Sequence, residues 1–507
     1  MRIYFFQRCF RPKILGSLFF AFTCFTLLSE IFRWRNTWNS PSMLHSSRHN
    51  AVLPSGERFT SRIPPQVPNH TTFVPGQFLR GMFPQNESYC QFNYGAPEHF
   101  NWTDNYIAFS PELGEMGPFR VIYNVIKVSD NMASNGPVTK FGVTYCTHAT
   151  PEFLYHIVEV VQRWDGPVSL AVYAPCTDAG LSLKIMHHLC RCLPEMSRLS
   201  IHLIFPITHP PVFTSTAFPS CYDSNSNVHQ YPTFTDCSAP EALLDGKLKT
   251  FRQREGLTYP VNVARNVARK AAETSHILVS DVELLPSRDL VSAFLSMLSR
   301  FQKQHAEGDE DDFDLNRPLS IMHEFHMKKY VFVLPVFEVD DRESNVPSTK
   351  EELLELYTQN KAVYFHRWIC LHCQRFPGIQ RWLQQKPSTE RPKVIQPLLV
   401  VRREFPYHRW EPVYIGTNEE PLYSEQLTWE GQQDKMTQMN EMCLQGYRFV
   451  ILDGAFLVHV PGIKRRSEIT VDRTAWRRPY EHHNTKIYHS ITMKMMRKYR
   501  TNTRCKL

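Results

Sequence analysis

The 507-residue sequence predicts an α/β domain built on a mostly parallel sheet, and three features predict it. Strand-like and helix-like segments alternate from residue 141; a helical segment at 261–272 leads into the apolar run Ile277-Leu278-Val279; and apolar strands recur at 330–337 and 456–459. Alternation of this kind covers a sheet with helices and leaves its ligand crevice at the carboxyl ends of the strands.

Four basic residues, Arg2, Arg8, Arg11 and Lys13, precede the apolar stretch 14–32, which is broken only by small polar residues and a late Glu30. A nineteen-residue helix is roughly 28 Å long, about one bilayer core. No small-x-small cleavage site follows, so the stretch is predicted to be an uncleaved signal anchor. The basic residues before it place residues 1–13 in the cytosol and everything after the span in the lumen, on a single-pass type II membrane protein. Residues 33–74 are rich in Pro, Ser, Asn and Arg and read as a flexible stem; stem and lead-in together are taken as 33–117, and the folded domain as 118–507. Acceptor sequons at Asn69, Asn86 and Asn101 suit a lumenal placement.

Thirteen cysteines are present, eleven of them beyond the anchor. An oxidising lumen predicts disulfides, with an odd thiol left free or paired between chains. The Cys370-x-x-Cys373 pair, with His366 and His372 close by, reads as part of a disulfide framework before it reads as a zinc site.

Within the domain, 141–145 reads as a strand, 151–164 as an amphipathic helix, 168–173 as a strand, 181–193 as a helix and 199–205 as a strand. A Pro/Ser/Thr-rich loop fills 206–240, and an acidic, Gln-rich insertion covers 302–314. The net charge of +8 is modest for this length, and no basic block is interleaved with aromatics, which excludes a nucleic-acid groove. A homo- or hetero-oligomer is compatible with the sequence.

Two segments carry chemistry. In Ser280-Asp281-Val282-Glu283 two carboxylates one residue apart follow a buried strand, where they can share a crevice and hold a hard divalent cation that binds a diphosphate. The bland alternative is a turn cap beside a solvated glutamate. In His459-Val460-Pro461-Gly462-Ile463-Lys464 a neutral imidazole can complete the coordination of Mn²⁺, the glycine lets backbone approach a phosphate, and the lysine adds a point charge.

Four blocks in order resemble the lumenal glycosyltransferases of family 49, which includes β-1,4-glucuronyltransferase and the C-terminal domain of LARGE. They are Tyr259-Pro260-x-Asn262-x-x-Arg265-Asn266-x-Ala268-Arg269, Ser280-Asp281-Val282-Glu283-x-x-Pro286-Ser287, Trp410-Glu411-Pro412, and Gly446-Tyr447-x-Phe449-Val450 followed by Phe456-Leu457-Val458-His459. The resemblance implies a GT-A-like, Rossmann-type fold, a UDP-sugar donor, Mn²⁺ and inversion at the anomeric carbon. It further implies that Asp281 and Glu283 stand where the family has its metal-binding D-x-D, with His459 as third ligand. Arg265, Asn266 and Arg269 would contact the donor, aided by Gly462 and Lys464; one helical turn separates Arg265 from Arg269 and puts both on one face.

An inverting transfer needs a general base beside the acceptor hydroxyl, and Asp434 and Glu425 are the candidates. Here the chain has Ser424-Glu425-Gln426 where the family has Asp-Glu-Arg or Asp-Arg-Arg. By resemblance the protein moves glucuronic acid from UDP-glucuronic acid, or a related UDP-sugar, to a xylose-terminated O-mannosyl-type glycan on a glycoprotein, in the Golgi membrane or the endoplasmic reticulum. The altered 424–426 segment keeps a second reading open: a non-catalytic lumenal protein that binds glycans or partners a transferase.

Overall fold

The computed structural model describes residues 73–128, 141–213, 232–306, 329–343, 345–386, 394–465, 476–499 and 502–506. All belong to a compact unit spanning Asn69–Leu507; the second unit, Met1–Pro68, carries the predicted anchor and lies outside the described residues, as does Asn69. No helix among the described residues is long and apolar enough to cross a membrane.

Among the described residues, fifteen strands form two sheets: β1 (Gln91–Phe92), β2 (Ile107–Phe109), β3 (Phe119–Lys127), β4 (Val143–Ala149), β5 (Val168–Tyr173), β6 (Leu199–Pro206), β7 (His276–Val279), β8 (Leu284–Pro286), β9 (Tyr330–Leu334), β10 (Val336–Val339), β11 (Ala362–Tyr364), β12 (Gln396–Val401), β13 (Val413–Gly416), β14 (Arg448–Asp453) and β15 (Leu457–His459). The large sheet runs β1-β3-β6-β5-β4-β7-β13-β9-β14-β12, with β2 on β3, and the small one runs β11-β10-β15-β8. The longer helices are α1 (Ile157–Arg163), α2 (Thr177–Leu189), α3 (Val261–Lys270), α4 (Leu290–Ala306), α5 (Lys350–Thr358), α6 (Met436–Leu444) and α7 (Arg478–Lys498).

The α/β class matches the expectation, but the sheet is mixed where a mostly parallel one was expected. Strands β6, β5, β4 and β7 are mutually parallel; β3 and β13 then flank them antiparallel. Every residue of β4 and β5 is buried, as parallel strands covered on both faces require. The apolar run expected at 330–337 is two strands in different sheets, because Pro335 has no N–H to continue a ladder. The helix expected at 151–164 opens as a 3₁₀ turn, Pro151–His156, before α1 begins.

Helix α3 is buried on both faces. Val261, Ala264, Val267 and Ala268 pack on Cys146, Ala171, Tyr173 and Ile277 of the sheet, and Asn262, Arg265, Asn266 and Arg269 are buried on the other side. That second, polar face positions the site described below.

Among the described residues, four disulfides fasten segments distant in sequence or brace a turn: Cys90–Cys190, Cys192–Cys237, Cys370–Cys373 and Cys443–Cys505. Cys90–Cys190 and the pairing of β1 and β2 with β3 tie the lead-in before Phe119 to the sheet. Cys370 and Cys373 are bonded to each other, so neither is a zinc thiolate. Cys146, in β4, is a buried free thiol. Of the two described sequons, Asn86 and Asn101 are both exposed.

Candidate active site

Strand β7 ends at Val279 in register with Cys146 of its parallel neighbour β4, so the next residues of both chains emerge side by side at the carboxyl edge. His148, two residues on, therefore meets Asp281: its Nε2 lies 3.1 Å from Oδ1, while its Nδ1 pairs with the Tyr259 hydroxyl at 2.8 Å. Arg265 reaches the same acid from α3, donating to Asp281 Oδ1 at 3.0 Å and, through its other nitrogen, to Asp434 Oδ2. Lys435 donates to Asp281 Oδ2 at 3.0 Å. Burial works against charge on Asp281, but Lys435, Arg265 and His148 together hold its carboxyl well below the ordinary range.

Glu283 and His459 meet through the small sheet. His459 of β15 is in antiparallel register with Leu284 of β8, and the Val460 N–H donates to the Glu283 carbonyl at 3.0 Å. Their side chains follow, with His459 Nε2 3.7 Å from Glu283 Oε2. Lys464 Nζ donates to the same imidazole nitrogen at 3.3 Å. Burial lowers the His459 pKa, so the ring is neutral at physiological pH. Gly462 turns the intervening loop at φ +71°, where a Cβ would press within 3.2 Å of Asp341.

Asp281, Glu283, Asp434, Arg265 and Lys435 line one crevice of about 370 Å³ together with Glu152, Arg252, His366 and Glu411. Phe153 and Trp429 stand on its wall, each 43% exposed. A larger hollow, about 1000 Å³ and lined by Phe73, Glu159, Arg163 and Arg288, contains none of the predicted site residues.

Two carboxylates and a neutral imidazole suit Mn²⁺, and an imidazole accepting at Nε2 offers the lone pair a cation needs. By donor chemistry the residues fit the ion, and Asp281, Glu283 and His459 would hold it. They do not close on one point here: Asp281 is paired with cations and His148, Glu283 with His459. The group of three donors within 4.8 Å of one another among the described residues is His188, Cys192 and Cys237, whose two cysteines are bonded to each other.

Other predicted residues are placed differently. Asn266 donates to the Tyr423 carbonyl at 2.8 Å and to Glu425 Oε1 at 3.1 Å; Arg269 donates to the Pro421 and Glu420 carbonyls, both at 2.9 Å. Both staple the 420–425 segment to α3 and do not line the crevice. Glu425 is 4% exposed and accepts from the Glu112 and Leu113 N–H groups at 3.1 and 3.3 Å, so its oxygens serve the fold. Asp434 does line the crevice, tied to Arg265.

Among the crevice residues to which the sequence assigns no role are Lys435, Glu411 and His148. Lys435 immediately follows Asp434, and Glu411 lies in the Trp410-Glu411-Pro412 block without a local pattern to give it a task. His148 lies beyond the strand expected at 141–145, which in the structure continues to Ala149.

A crevice of carboxylates and cations at the carboxyl edge of parallel strands defines an enzyme site for a charged ligand. The model of the glycosyltransferase family 49, described as a glycosyl-transferase for dystroglycan, matches residues 142–500, and the chain belongs to that family: it is a glycosyltransferase. Beta-1,4-glucuronyltransferase 1 of Danio rerio is 28% identical over 69% of this chain and 74% of its own length. The Homo sapiens protein of that name is 24% identical over 77% and 82%. Xylosyl- and glucuronyltransferase LARGE2 of Mus musculus is 27% identical over 55% of this chain and 32% of its own. The solved S. aureus TarS 1-349 in complex with UDP gives a TM-score of 0.27 at 12% identity over 63% of this chain and 61% of that one, a likeness too distant to define a shared fold.

Proposed function

We propose that this glycosyltransferase is an inverting, Mn²⁺-dependent β-1,4-glucuronyltransferase that moves glucuronic acid from UDP-glucuronic acid to a xylose-terminated O-mannosyl-type glycan on a glycoprotein. The observation that carries the reading is the convergence of Asp281, Glu283 and Asp434 with Arg265 and Lys435 on one crevice. Relatives named beta-1,4-glucuronyltransferase 1 support the choice of sugar. The protein would sit in the Golgi membrane, or that of the endoplasmic reticulum, through residues 14–32, with the domain in the lumen.

In this reading Arg265 and Lys435 orient the donor's diphosphate, and the exposed rings of Trp429 and Phe153 offer apolar faces to a sugar acceptor. Mn²⁺ held by Asp281, Glu283 and His459 would add positive charge against the departing UDP. Transfer is a single displacement on the face opposite UDP, so no covalent sugar-enzyme bond is required. The pairing of Asp281 with Lys435, Arg265 and His148 favours the second reading, a glycan-binding protein without transfer, because a cation must compete with these partners.

The test is UDP release by the full-length chain, supplied with Mn²⁺, a β-xyloside and each of several UDP-sugars in turn. Release with UDP-glucuronic acid, abolished in Asp281→Ala, is expected. Failure to bind UDP at any Mn²⁺ concentration supports the non-catalytic alternative, and turnover with UDP-xylose alone overturns the choice of sugar.

A further inference from the structure

Five carboxylates line the crevice: Glu152, Asp281, Glu283, Glu411 and Asp434. A general base must present an oxygen lone pair to the acceptor hydroxyl, so a carboxylate already committed to a cation or a donor is poorly suited to the task. Glu152 accepts from Gln253 Nε2 at 2.9 Å and lies 3.7 Å from Arg252. Asp281 is held by Lys435, Arg265 and His148, Asp434 is paired with Arg265, and Glu283 is a metal ligand in the reading above.

Glu411 differs. Its backbone is fixed at both polar groups, the N–H donating to the Cys373 carbonyl at 2.8 Å and the carbonyl accepting from Gln374 Nε2 at 2.9 Å. Trp410 beside it is 1% exposed and packs on Phe449 at 5.7 Å, while its carbonyl accepts from Arg403 Nε at 2.5 Å. The Cys370–Cys373 disulfide braces the turn that supplies one of these contacts. The side chain lines the crevice, and its carboxyl makes no hydrogen bond or ion pair to any described residue. A clamped backbone carrying an uncommitted carboxylate is the arrangement that preorganised proton transfer requires.

We propose that Glu411 is the general base of the glycosyl transfer, an assignment that rests on the transferase activity proposed above. As the acceptor oxygen bonds to the anomeric carbon of the sugar, its proton passes to a Glu411 carboxylate oxygen. The bond from that carbon to the UDP oxygen breaks, and its electron pair leaves with UDP. Burial first, and the charge of Asp434, push the Glu411 carboxyl up to about 6 against the opposing pull of Lys435, Arg403 and Arg265. It is thus ionised at neutral pH yet a stronger base than an exposed glutamate.

Full-length Glu411→Gln and Glu411→Asp are compared with the wild type for kcat, donor KM, UDP affinity by calorimetry, melting temperature and the pH profile of kcat/KM. The Gln variant is expected to lose about 10²- to 10⁴-fold in kcat, with UDP affinity and melting temperature preserved and the acidic limb near pH 6 gone. The Asp variant is expected to recover part of the rate with that limb displaced. A Gln variant retaining more than a tenth of kcat with its acidic limb intact overturns the assignment while leaving the transferase reading standing. If the Gln variant does not fold, an Asp variant with wild-type rate and limb overturns it equally. A wild type that turns over no UDP-sugar removes the transferase reading, and this assignment with it.

Discussion

Lys435 Nζ rests 3.0 Å from Asp281 Oδ2, in the place where a metal ion would approach that acid. Two unit charges about 4 Å apart interact by about 4 kcal/mol at an effective dielectric of 20, so an ammonium here competes strongly with any cation. Lys435→Met is therefore expected to tighten Mn²⁺ binding at least tenfold while weakening UDP binding, measured separately by calorimetry. Unchanged Mn²⁺ affinity would show that the ion does not use Asp281.

Arg269 gives a second discriminating test, because its i,i+4 spacing from Arg265 suggested donor contact while the structure points it at the 420–421 carbonyls. Arg269→Ala removes two charge-assisted hydrogen bonds at a position 2% exposed, and a loss of about 3–5 kcal/mol in stability is expected from chemical denaturation. UDP affinity measured below the melting transition should be unchanged. A variant of normal stability with weakened UDP binding would return Arg269 to the donor site.

The same residues show what was legible beforehand. Periodicity established that Arg265 and Arg269 share a helix face, but a shared face does not say what it meets, and α3 turns its polar face to a segment 150 residues away. Strand β5 was placed at its observed bounds because a continuous apolar run leaves one choice. By contrast, β8, β10, β11 and β15 are three or four residues long, and only their mutual pairing makes them a sheet. Only family likeness links Glu283 with His459 in the sequence; the register that brings their side chains within 3.7 Å is non-local. Glu425 is a candidate base because it stands in the 424–426 segment of the family pattern, and nothing local reveals that the Glu112 and Leu113 N–H groups bond its oxygens.

A buried ion pair outside the crevice supplies a stability test. Lys350 Nζ donates to Asp453 and to the Gln385 carbonyl and lies 4.2 Å from the centre of the Trp382 ring; the two charged side chains are 2% and 7% exposed. Asp453→Ala should cost about 3–5 kcal/mol by leaving the ammonium unpaired. The double change Lys350→Met with Asp453→Leu should recover most of that loss in the same denaturation series, and failure to recover would show that the charges do more than neutralise one another.

Glu159 predicts a pH dependence. Its Oε1 accepts from the Gly76 N–H at 2.5 Å, its Oε2 is buried with no hydrogen-bond partner among the described residues, and burial pushes the carboxyl from an ordinary 4.5 up to about 7. The folded state thus holds this proton more tightly: the contribution is complete below about pH 4.5 and is lost as pH rises to 7. Glu159→Gln should remove that component and stabilise the protein at pH 8 by about 1–3 kcal/mol relative to wild type. Equal wild-type and variant melting curves at pH 5 and pH 8 would contradict it.

Cys146 has a different consequence. Thiol–disulfide exchange begins with a thiolate, and this side chain is fully enclosed, with burial pushing its pKa up to about 12. The bridges are therefore shielded from internal scrambling by the folded sheet itself. Once β4 separates from β5 and β7 on heating, a nucleophile is released among the cystines, so thermal unfolding should become irreversible unless the thiol is blocked or replaced by serine.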